Sequence, residues 1–143
     1  MKTVNLYIAS SIRGPARRDG QYIYILEADT AKGPATLTNK KALLGTTENQ
    51  SVIYALCSAL SRLREPCRLE IYTDCVYLAT VLTQGWLMEW KYAGWQNKRG
   101  CSVKDAEKWR EISYFLDAHD FNVHLHEFHS YKEWMTREVN INS

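Results

Sequence analysis

The amino-acid sequence predicts an α/β fold in which helices pack on one mixed β-sheet. Three observations support this prediction. Apolar and polar residues alternate near the amino terminus, an apolar stripe at helical spacing begins at position 52, and a second alternating segment begins at position 68. The predicted element order is β-β-β-α-β-α-α-α-β, which gives five strands. The first three are expected to be antiparallel, and the fourth joins through a helical crossover.

The first three predicted strands form a meander. Residues 4–8 alternate between apolar and polar side chains, and residues 22–26 are mostly β-branched or aromatic. Residues 10–20 contain Gly-Pro and Asp-Gly pairs, which favour a turn-rich loop between these strands. Gly33-Pro34 breaks the chain again, and residues 35–44 supply a weaker third strand.

Periodicity and capping residues predict the first helix. Thr46 or Thr47 can cap it, and apolar residues then recur from Val52 to Leu63 at offsets of 0, 3, 4, 7, 8 and 11. Pro66 follows this stripe and cannot continue a helix. The spacing therefore predicts a helix that begins after the threonines and ends before the proline.

The rest of the chain is predicted as one crossover strand, three helices and a final strand. Residues 68–73 alternate, and Asp74 lies at the C-terminal end of this strand, where α/β folds commonly bind ligands. The remaining predicted elements are helices over 75–84, 86–93 and 104–118 and a short strand over 123–128.

The composition fits one domain. The chain has 143 residues, of which 45% are hydrophobic and 24% charged, which suits a single core. The longest apolar run, residues 52–57, is far shorter than the roughly 18 residues of a membrane span. The chain start lacks a secretory signal, so we expect a cytoplasmic protein with no membrane partner. The spacing of the four cysteines matches no zinc or disulfide pattern, so we expect reduced thiols.

The segment from Gly85 to Trp109 holds four of the five tryptophans. Its characteristic residues are, in order, Gly85-Trp86, Trp90-Lys91, Gly94-Trp95, Gly100, Val103-Lys104-Asp105 and Trp109. This spacing resembles the basic handle and the following helix of ribonuclease HI, the family that cleaves the RNA strand of an RNA–DNA hybrid.

Two upstream segments resemble the same family in the same order. Thr46-Thr47-Glu48-Asn49 resembles its Thr-Thr-Asn-Asn segment, and residues 72–77 resemble its Thr-Asp-Ser-x-Tyr strand end. The resemblance covers roughly residues 3–130 and leaves residues 131–143 as a degenerate tail. It implies one ribonuclease H-like domain over residues 1–143, with three layers: a five-stranded mixed sheet with helices on both faces.

The handle residues also suit nucleic-acid binding by their own chemistry. Trp86 and Trp90 lie four residues apart on one helical face, and Lys91 adjoins them. Trp95 follows a glycine, so indole planes and positive charge can share one edge that follows a phosphate backbone. The alternative is that the tryptophans pack a helix onto the core. The resemblance implies that they do both.

The start of the first helix is a second candidate contact with nucleic acid. Thr47 can offer a hydroxyl and a backbone N–H to a phosphate, and Asn49 can reach a minor-groove base edge. Glu48 stands where the family has Asn and adds negative charge there. Residues 13–20 contribute three arginines, which either meet phosphates directly or are simply solvated.

The chemistry that the resemblance implies requires four carboxylates holding two Mg²⁺ ions roughly 4 Å apart. In this sequence Ala9 stands where the family has its first Asp, and Val52 stands where it has its helix Glu. Asp74 matches the third carboxylate. Counting ten residues on from His129, toward the fourth carboxylate, reaches Val139.

One carboxylate cannot hold a two-metal centre, so we expect no bound metal and no cofactor. Asp74 is the sole retained carboxylate and can serve instead as a helix cap. His129 matches the family's mobile loop histidine, which assists proton transfer; without the metal ions it has no such role. Glu48 and Glu127 are the nearest candidates for a rearranged ligand set, but both are expected to face solvent, and metal geometry tolerates little displacement of ligands.

Three histidines near the carboxyl terminus raise the alternative of a zinc site. Alternation would place His124 and His126 on the same face of the last strand, with His129 close by. No Cys or carboxylate is clearly positioned to complete a tetrahedral site, so surface or half-buried histidines are expected instead.

Three functions remain open from the sequence. The leading hypothesis is a catalytically degenerate ribonuclease H-like protein that binds an RNA–DNA hybrid, or a similar nucleic acid, without cleaving it. The second is an active ribonuclease of this type that uses Mg²⁺ or Mn²⁺ with rearranged ligands. The third is a protein-interaction module whose neutral former substrate face docks a partner or a second copy as a homodimer.

Overall fold

A computed structural model describes residues 1–141 of the chain. The strands are β1 (Lys2–Ser10), β2 (Arg18–Thr30), β3 (Gly33–Thr46), β4 (Cys67–Thr73) and β5 (Asp120–Leu125), and the helices are α1 (Glu48–Leu60), α2 (Val76–Thr83), α3 (Trp86–Tyr92), α4 (Ala106–Leu116) and α5 (Lys132–Val139). The strands form one sheet in the order β3-β2-β1-β4-β5. The β1–β2 and β2–β3 pairs are antiparallel, whereas β1–β4 and β4–β5 are parallel. The predicted five-stranded mixed sheet is confirmed.

The larger hydrophobic core fills the face of the sheet that carries α1, α2 and α4. Alternation along β1 sends Leu6 and Ile8 to this face, where they meet Ile53 and Leu56 of α1. Trp109 of α4 is fully buried in the same core. This packing fixes α1 across the sheet.

A smaller core lies on the opposite face, where α5 packs. Met135 and Val139 of this helix are buried against Tyr7, Ile23 and Ile25, which point to the other side of β1 and β2. Most of the segment that the sequence left as a degenerate tail, residues 131–143, is therefore a packed helix, and residues 142 and 143 lie outside the described residues. Helices on both faces of the sheet are confirmed.

The second strand begins earlier than the sequence predicted, because the Asp-Gly pair belongs to it. The pairing of β2 with β3 shifts register between Arg18 and Gly20, which marks a β-bulge. Asp19 Oδ1 accepts a hydrogen bond from Gly45 N at 2.8 Å and so ties this irregular strand end to β3. A Cβ at Gly20 would lie 2.5 Å from Ile12 Cγ1, so this close approach requires glycine.

Two other element ends differ from prediction. The first helix ends at Leu60 with Ser61 as C-cap, so Leu63 lies beyond the helix although its apolar side chain still packs against the core. The last strand covers Asp120–Leu125 rather than residues 123–128. It ends because His126 takes a left-handed backbone with φ of 58°, which cannot continue a strand.

Within residues 1–141, no helix is both long and apolar enough to cross a bilayer. The four cysteines are free thiols, as their spacing predicted; three are buried and Cys101 is exposed.

Candidate functional site

The carboxyl end of β1, the residue that follows β4 and one face of α5 frame a small cavity of about 100 Å³. Because β1 and β4 are parallel neighbours, with Tyr7 beside Tyr72, residues that follow both strands meet at one edge of the sheet. The cavity is lined by Ile8, Ala9, Ser10, Ser11, Arg13, Asp74, His129, Lys132, Met135, Thr136, Val139 and Asn140. It unites four residues that the sequence singled out, namely Ala9, Asp74, His129 and Val139.

The carboxylate of Asp74 is paired with a cation of the chain itself. Lys132 Nζ donates to Asp74 Oδ1 at 2.9 Å, and His126 Nδ1 lies 3.3 Å from the same oxygen. Burial alone would raise the pKa of Asp74, but the hydrogen bonds from Lys132 and His126 outweigh burial and hold that pKa below its usual value. Asp74 is therefore an ionised, charge-paired carboxylate at neutral pH.

Lys132 is the functional residue that sequence reasoning missed. It is the first residue of α5, and its ammonium also donates to the carbonyl oxygen of Glu127 at 3.3 Å. No motif marks it, because its partner Asp74 lies 58 positions earlier in the chain. The contact can be predicted only if α5 is first identified as a helix that packs on the sheet, because that packing places Lys132 near Asp74.

The positions that resemble lost carboxylates contribute no acid to the cavity. Ala9 lines it, whereas Val52 is 4% exposed and belongs to the larger core. Next to them, Ser10 Oγ and Ser51 Oγ share a buried hydrogen bond of 2.7 Å, so β1 meets α1 through hydroxyl groups. Asp74 is the only acidic residue among those lining the cavity.

The residues present do not fit the two Mg²⁺ ions that ribonuclease H chemistry requires. A divalent pair needs several carboxylates close together, because their negative charge offsets the repulsion between the ions. Within residues 1–141, no group of three His, Cys, Asp or Glu side chains has an arrangement that could hold a metal ion. The single carboxylate of Asp74 already faces an ammonium group.

The two glutamates considered for a rearranged ligand set have other partners. Glu48 Oε1 accepts from the backbone N–H of Gly14 at 2.8 Å. Glu127 Oε2 lies 2.9 Å from His124 Nδ1. Neither glutamate lines the cavity around Asp74. Their placement gives no support to a displaced metal centre.

The three histidines near the carboxyl terminus take separate partners. His124 lies between Glu70 and Glu127 and stacks on Tyr72 with ring centroids 4.4 Å apart. Only His124 belongs to β5, so the prediction that it shares a strand face with His126 is wrong. His126 faces Asp74 instead. In the part of the chain that the structure describes, the three histidines do not form a group that could hold a metal ion.

His129 lies in the loop between β5 and α5 and lines the cavity. Its ring stacks on Tyr7 with centroids 4.3 Å apart, and its Nδ1 accepts from the backbone N–H of Tyr131 at 3.3 Å. Burial, reinforced by the nearby Lys132 ammonium, lowers the pKa of His129. The neutral imidazole is therefore favoured at neutral pH.

The handle predicted from the tryptophan spacing forms one aromatic cluster with α4. Ring centroids of Trp86 and Trp90 are 5.9 Å apart, and Trp90 lies at the same distance from Trp109. Trp86 and Trp90 are half-buried, whereas Trp95 is only 9% exposed. The core-packing interpretation therefore holds most strongly for Trp95, which can act on a ligand only by holding the handle in place.

Positive charge on the handle remains at the surface. Lys91 Nζ lies 3.6 Å from Asp117 Oδ2, and both side chains are more than half exposed. Arg110 stacks over the Trp95 ring, with its guanidinium carbon 5.8 Å from the centroid. An exposed ion pair of this kind contributes little to stability, so Lys91 is available to a phosphate at small cost.

The start of α1 is held by a capping box. Thr47 is the N-cap, and its hydroxyl accepts from Gln50 N at 3.2 Å while the Gln50 side chain accepts from Thr47 N at 3.3 Å. Thr47 is buried, whereas Asn49 is exposed. Of the loop arginines, Arg13 lines the cavity and Arg17 donates to the carbonyl of Gly45 at 3.2 Å. Contacts of these residues with nucleic acid stay predictions.

Known proteins resemble this chain over nearly its whole length. A ribonuclease H of Clostridium botulinum is 32% identical over 139 residues, which are 96% of this chain and 91% of that protein. A ribonuclease H of Chlorobaculum parvum is 29% identical over 136 residues, which are 95% of this chain and 90% of that protein.

Solved structures show the same fold at lower identity. LC9-RNase H1, a type 1 RNase H with the type 2 active-site motif, matches with a TM-score of 0.77 and 19% identity, over 96% of this chain and 70% of that one. The foamy viral protease–reverse transcriptase in complex with an RNA/DNA hybrid matches with a TM-score of 0.63 and 16% identity, over 96% of this chain and 19% of that one. The family model of RNase H matches residues 1–133, and the chain therefore belongs to the ribonuclease H family.

Proposed function

We propose that this protein binds an RNA–DNA hybrid without cleaving it. The observation that carries the proposal is the Asp74–Lys132 ion pair in a cavity with no second acidic residue. Membership of the ribonuclease H family supports the hybrid as ligand. The foamy viral protease–reverse transcriptase, part of which shares this fold, was solved in complex with an RNA/DNA hybrid.

The absence of cleavage follows from electrostatics at the cavity. Metal-dependent hydrolysis needs a cluster of anions that holds two divalent ions and activates a water molecule. Here one carboxylate is neutralised at 2.9 Å by the Lys132 ammonium, and Ala9, near the carboxyl end of β1, adds no acid. A divalent ion would have to displace a tethered cation and would gain only one anionic ligand.

The capacity to bind comes from charge that lies away from the cavity. Residues 86–110, which include α3 and the start of α4, carry six Lys or Arg residues against three Asp or Glu residues. Lys91, Lys98 and Arg99 in this segment are exposed. Cations on one surface neutralise phosphates and release counterions, which supplies affinity that does not depend on sequence.

Cleavage and binding should be measured on the same duplex. We expect the purified protein to leave the RNA strand of a labelled hybrid intact in Mg²⁺ and in Mn²⁺. We also expect it to bind the same hybrid with an affinity that falls steeply as the salt concentration rises. Metal-dependent cutting that disappears in Asp74→Asn would instead establish the active ribonuclease. Hybrid binding that is absent, together with a salt-independent protein partner or a dimer in light scattering, would establish the interaction module.

The handle should contribute one measurable phosphate contact. Lys91→Ala is expected to weaken hybrid binding and to reduce the slope of log affinity against log salt by about 0.9, the value for one neutralised phosphate. Lys32→Ala is the matched control, because Lys32 is exposed in the turn between β2 and β3, at the opposite end of the sheet from the cavity. Equal slopes for the two variants would remove the handle from the interface.

A further inference from the structure

The cavity at the ends of β1 and β4 is lined by more cationic than acidic residues. Lys132 and Arg13 both line it, together with hydroxyl and amide side chains of Ser11, Thr136 and Asn140. Asp74 is the only anion among the lining residues. Two full positive charges against one negative charge leave the cavity attractive to an anion.

The ammonium of Lys132 has donor capacity left over. A lysine ammonium carries three N–H donors. Two of them are directed at Asp74 Oδ1, at 2.9 Å, and at the carbonyl oxygen of Glu127, at 3.3 Å. The side chain is 31% exposed, so its remaining donor can meet a group that enters the cavity.

Lys132 contacts the Asp74 carboxylate at 2.9 Å, and both residues line the cavity. In a metal-dependent nuclease, a divalent ion makes a comparable link between enzyme carboxylates and the phosphate oxygens of the substrate. A lysine can bridge a carboxylate and a phosphate through separate N–H donors, because it is a compact charge with three of them. Arg13 adds a planar guanidinium that suits phosphate oxygens.

We propose that Lys132 and Arg13 hold one backbone phosphate of the bound hybrid in this cavity by direct contacts that need no metal ion. This inference rests on the proposed function and goes beyond it, because it assigns the site and the ligand group. The cavity of about 100 Å³ is smaller than the roughly 300 Å³ at which pockets for drug-sized ligands begin. It suits a phosphate rather than a nucleoside.

The test couples a side chain to one phosphate in a double-mutant cycle. Hybrids in which a single phosphate is replaced by a neutral methylphosphonate, one position at a time, are titrated in EDTA against the full-length protein and Lys132→Gln. Lys132→Gln should weaken binding of the unmodified hybrid about tenfold, as expected for a lost hydrogen bond to a charged group. At one position the methylphosphonate should weaken binding by the wild-type protein more than binding by the variant, since both changes remove the Lys132 contact and the variant keeps only the Arg13 contact.

Two further variants separate direct contact from an indirect effect of Asp74. Lys132→Gln leaves Asp74 unpaired, and its charge would then repel the hybrid. The double variant Lys132→Gln/Asp74→Asn removes this repulsion and should remain weaker than Asp74→Asn alone. Recovery of wild-type affinity by the double variant would show that Lys132 only neutralises Asp74 and would overturn the proposal. Lys32→Gln is the matched lysine control, and thermal unfolding confirms that each variant is folded.

The outcomes distinguish the two proposals. A wild-type protein that binds no hybrid in EDTA overturns both the proposed function and the phosphate site. If the wild-type protein binds the hybrid, but the losses from Lys132→Gln and from methylphosphonate are additive at every position, the proposed function stands and the phosphate site is overturned. Non-additive losses at a single position support both.

Discussion

Lys132 places a fixed positive charge where ribonuclease H chemistry would require exchangeable ones. Its ammonium lies 2.9 Å from Asp74 Oδ1 and holds that carboxylate in its ionised form. Water activation depends on a divalent ion that lowers the pKa of a bound water, and a monovalent ammonium does not coordinate water in this way. The same contact can therefore attract a phosphate and still provide no hydrolytic step.

The sequence drew attention to Ala9 and Asp74 but did not mark the cations that line the same cavity. Ala9 and Asp74 follow from spacing along single strands, and the structure places both at one cavity. Lys132 and Arg13 reach it from segments whose position depends on tertiary packing. Local patterns carry no information about an ion pair between residues 58 positions apart.

His124 provides a test of electrostatics at the residue scale. Its two ring nitrogens lie 3.0 Å from Glu70 Oε2 and 2.9 Å from Glu127 Oε2. Burial opposes the charged ring, but the hydrogen bonds to both glutamates outweigh burial and raise the pKa of His124. Since the folded pKa exceeds the unfolded value of about 6.5, this stabilisation is complete below about pH 6.5 and is lost as the pH rises through the folded pKa.

We expect His124→Gln to lower the free energy of unfolding by about 1 kcal/mol near pH 5.5, and by clearly less near pH 8.5, after allowance for solvent screening. Urea unfolding at the two pH values measures both losses. His119→Gln is the contrasting variant, because burial lowers the pKa of His119 and its Nδ1 accepts from Cys67 N. Its loss should be greater at the higher pH. Equal losses for His124→Gln at both pH values would contradict the ion-pair account.

At the scale of elements, α5 connects the site to the rest of the fold. The helix begins with Lys132 and buries Met135 and Val139 against β1 and β2. Just before it, Tyr131 donates a hydrogen bond from its hydroxyl to Glu27 Oε2 of β2, at 2.5 Å. Helix packing and this side-chain bond together place the Lys132 ammonium beside Asp74.

This helix was invisible in the sequence, whereas α1 was not. The stripe of α1 runs through many apolar residues, and its capping box marks its start. In α5 the buried face consists of only Met135 and Val139, which lie four positions apart, and Trp134 is 41% exposed. So short a pattern does not distinguish a packed helix from a polar tail.

The packing of α5 predicts a large effect from one core residue. Met135 is 1% exposed, and Met135→Ala should lower the free energy of unfolding by about 2 to 4 kcal/mol through lost burial and a residual cavity. Denaturant unfolding measures it. Glu133→Ala on the same helix is the control, because the Glu133 side chain is 88% exposed and its loss should stay within about 0.5 kcal/mol. A similar small loss for Met135→Ala would show that α5 is not docked.

At the scale of the whole molecule, sheet topology explains why one edge holds the candidate site. The antiparallel meander of β3, β2 and β1 lies on one side, and the parallel strands β4 and β5 continue the sheet on the other. This mixed order was predictable, because strand-rich and helix-rich segments follow one another in the sequence. The extra length of β2 was not, because its Asp-Gly pair is a turn signal that the bulge accommodates within the strand.

The thermal stability of the whole molecule should not respond specifically to magnesium. A ligand that binds only the folded state raises the free energy of unfolding by RT ln(1 + [L]/Kd), and the melting temperature rises with it. We expect about 10 mM MgCl₂ to shift the melting temperature no more than NaCl of equal ionic strength, since the cavity offers one carboxylate already paired with Lys132. Differential scanning calorimetry measures both. A rise confined to MgCl₂ and abolished in Asp74→Asn would contradict the charge argument.

The cation beside Asp74 is covalently part of the chain. A soluble ion leaves its site on dilution or on dialysis against a chelator, whereas the local concentration of Lys132 is set by the fold and does not change. Helix α5 is thereby tied at its first residue to the edge of the sheet by a partner that cannot diffuse away. We therefore expect the geometry of this edge to stay the same whatever the concentration of free divalent ions.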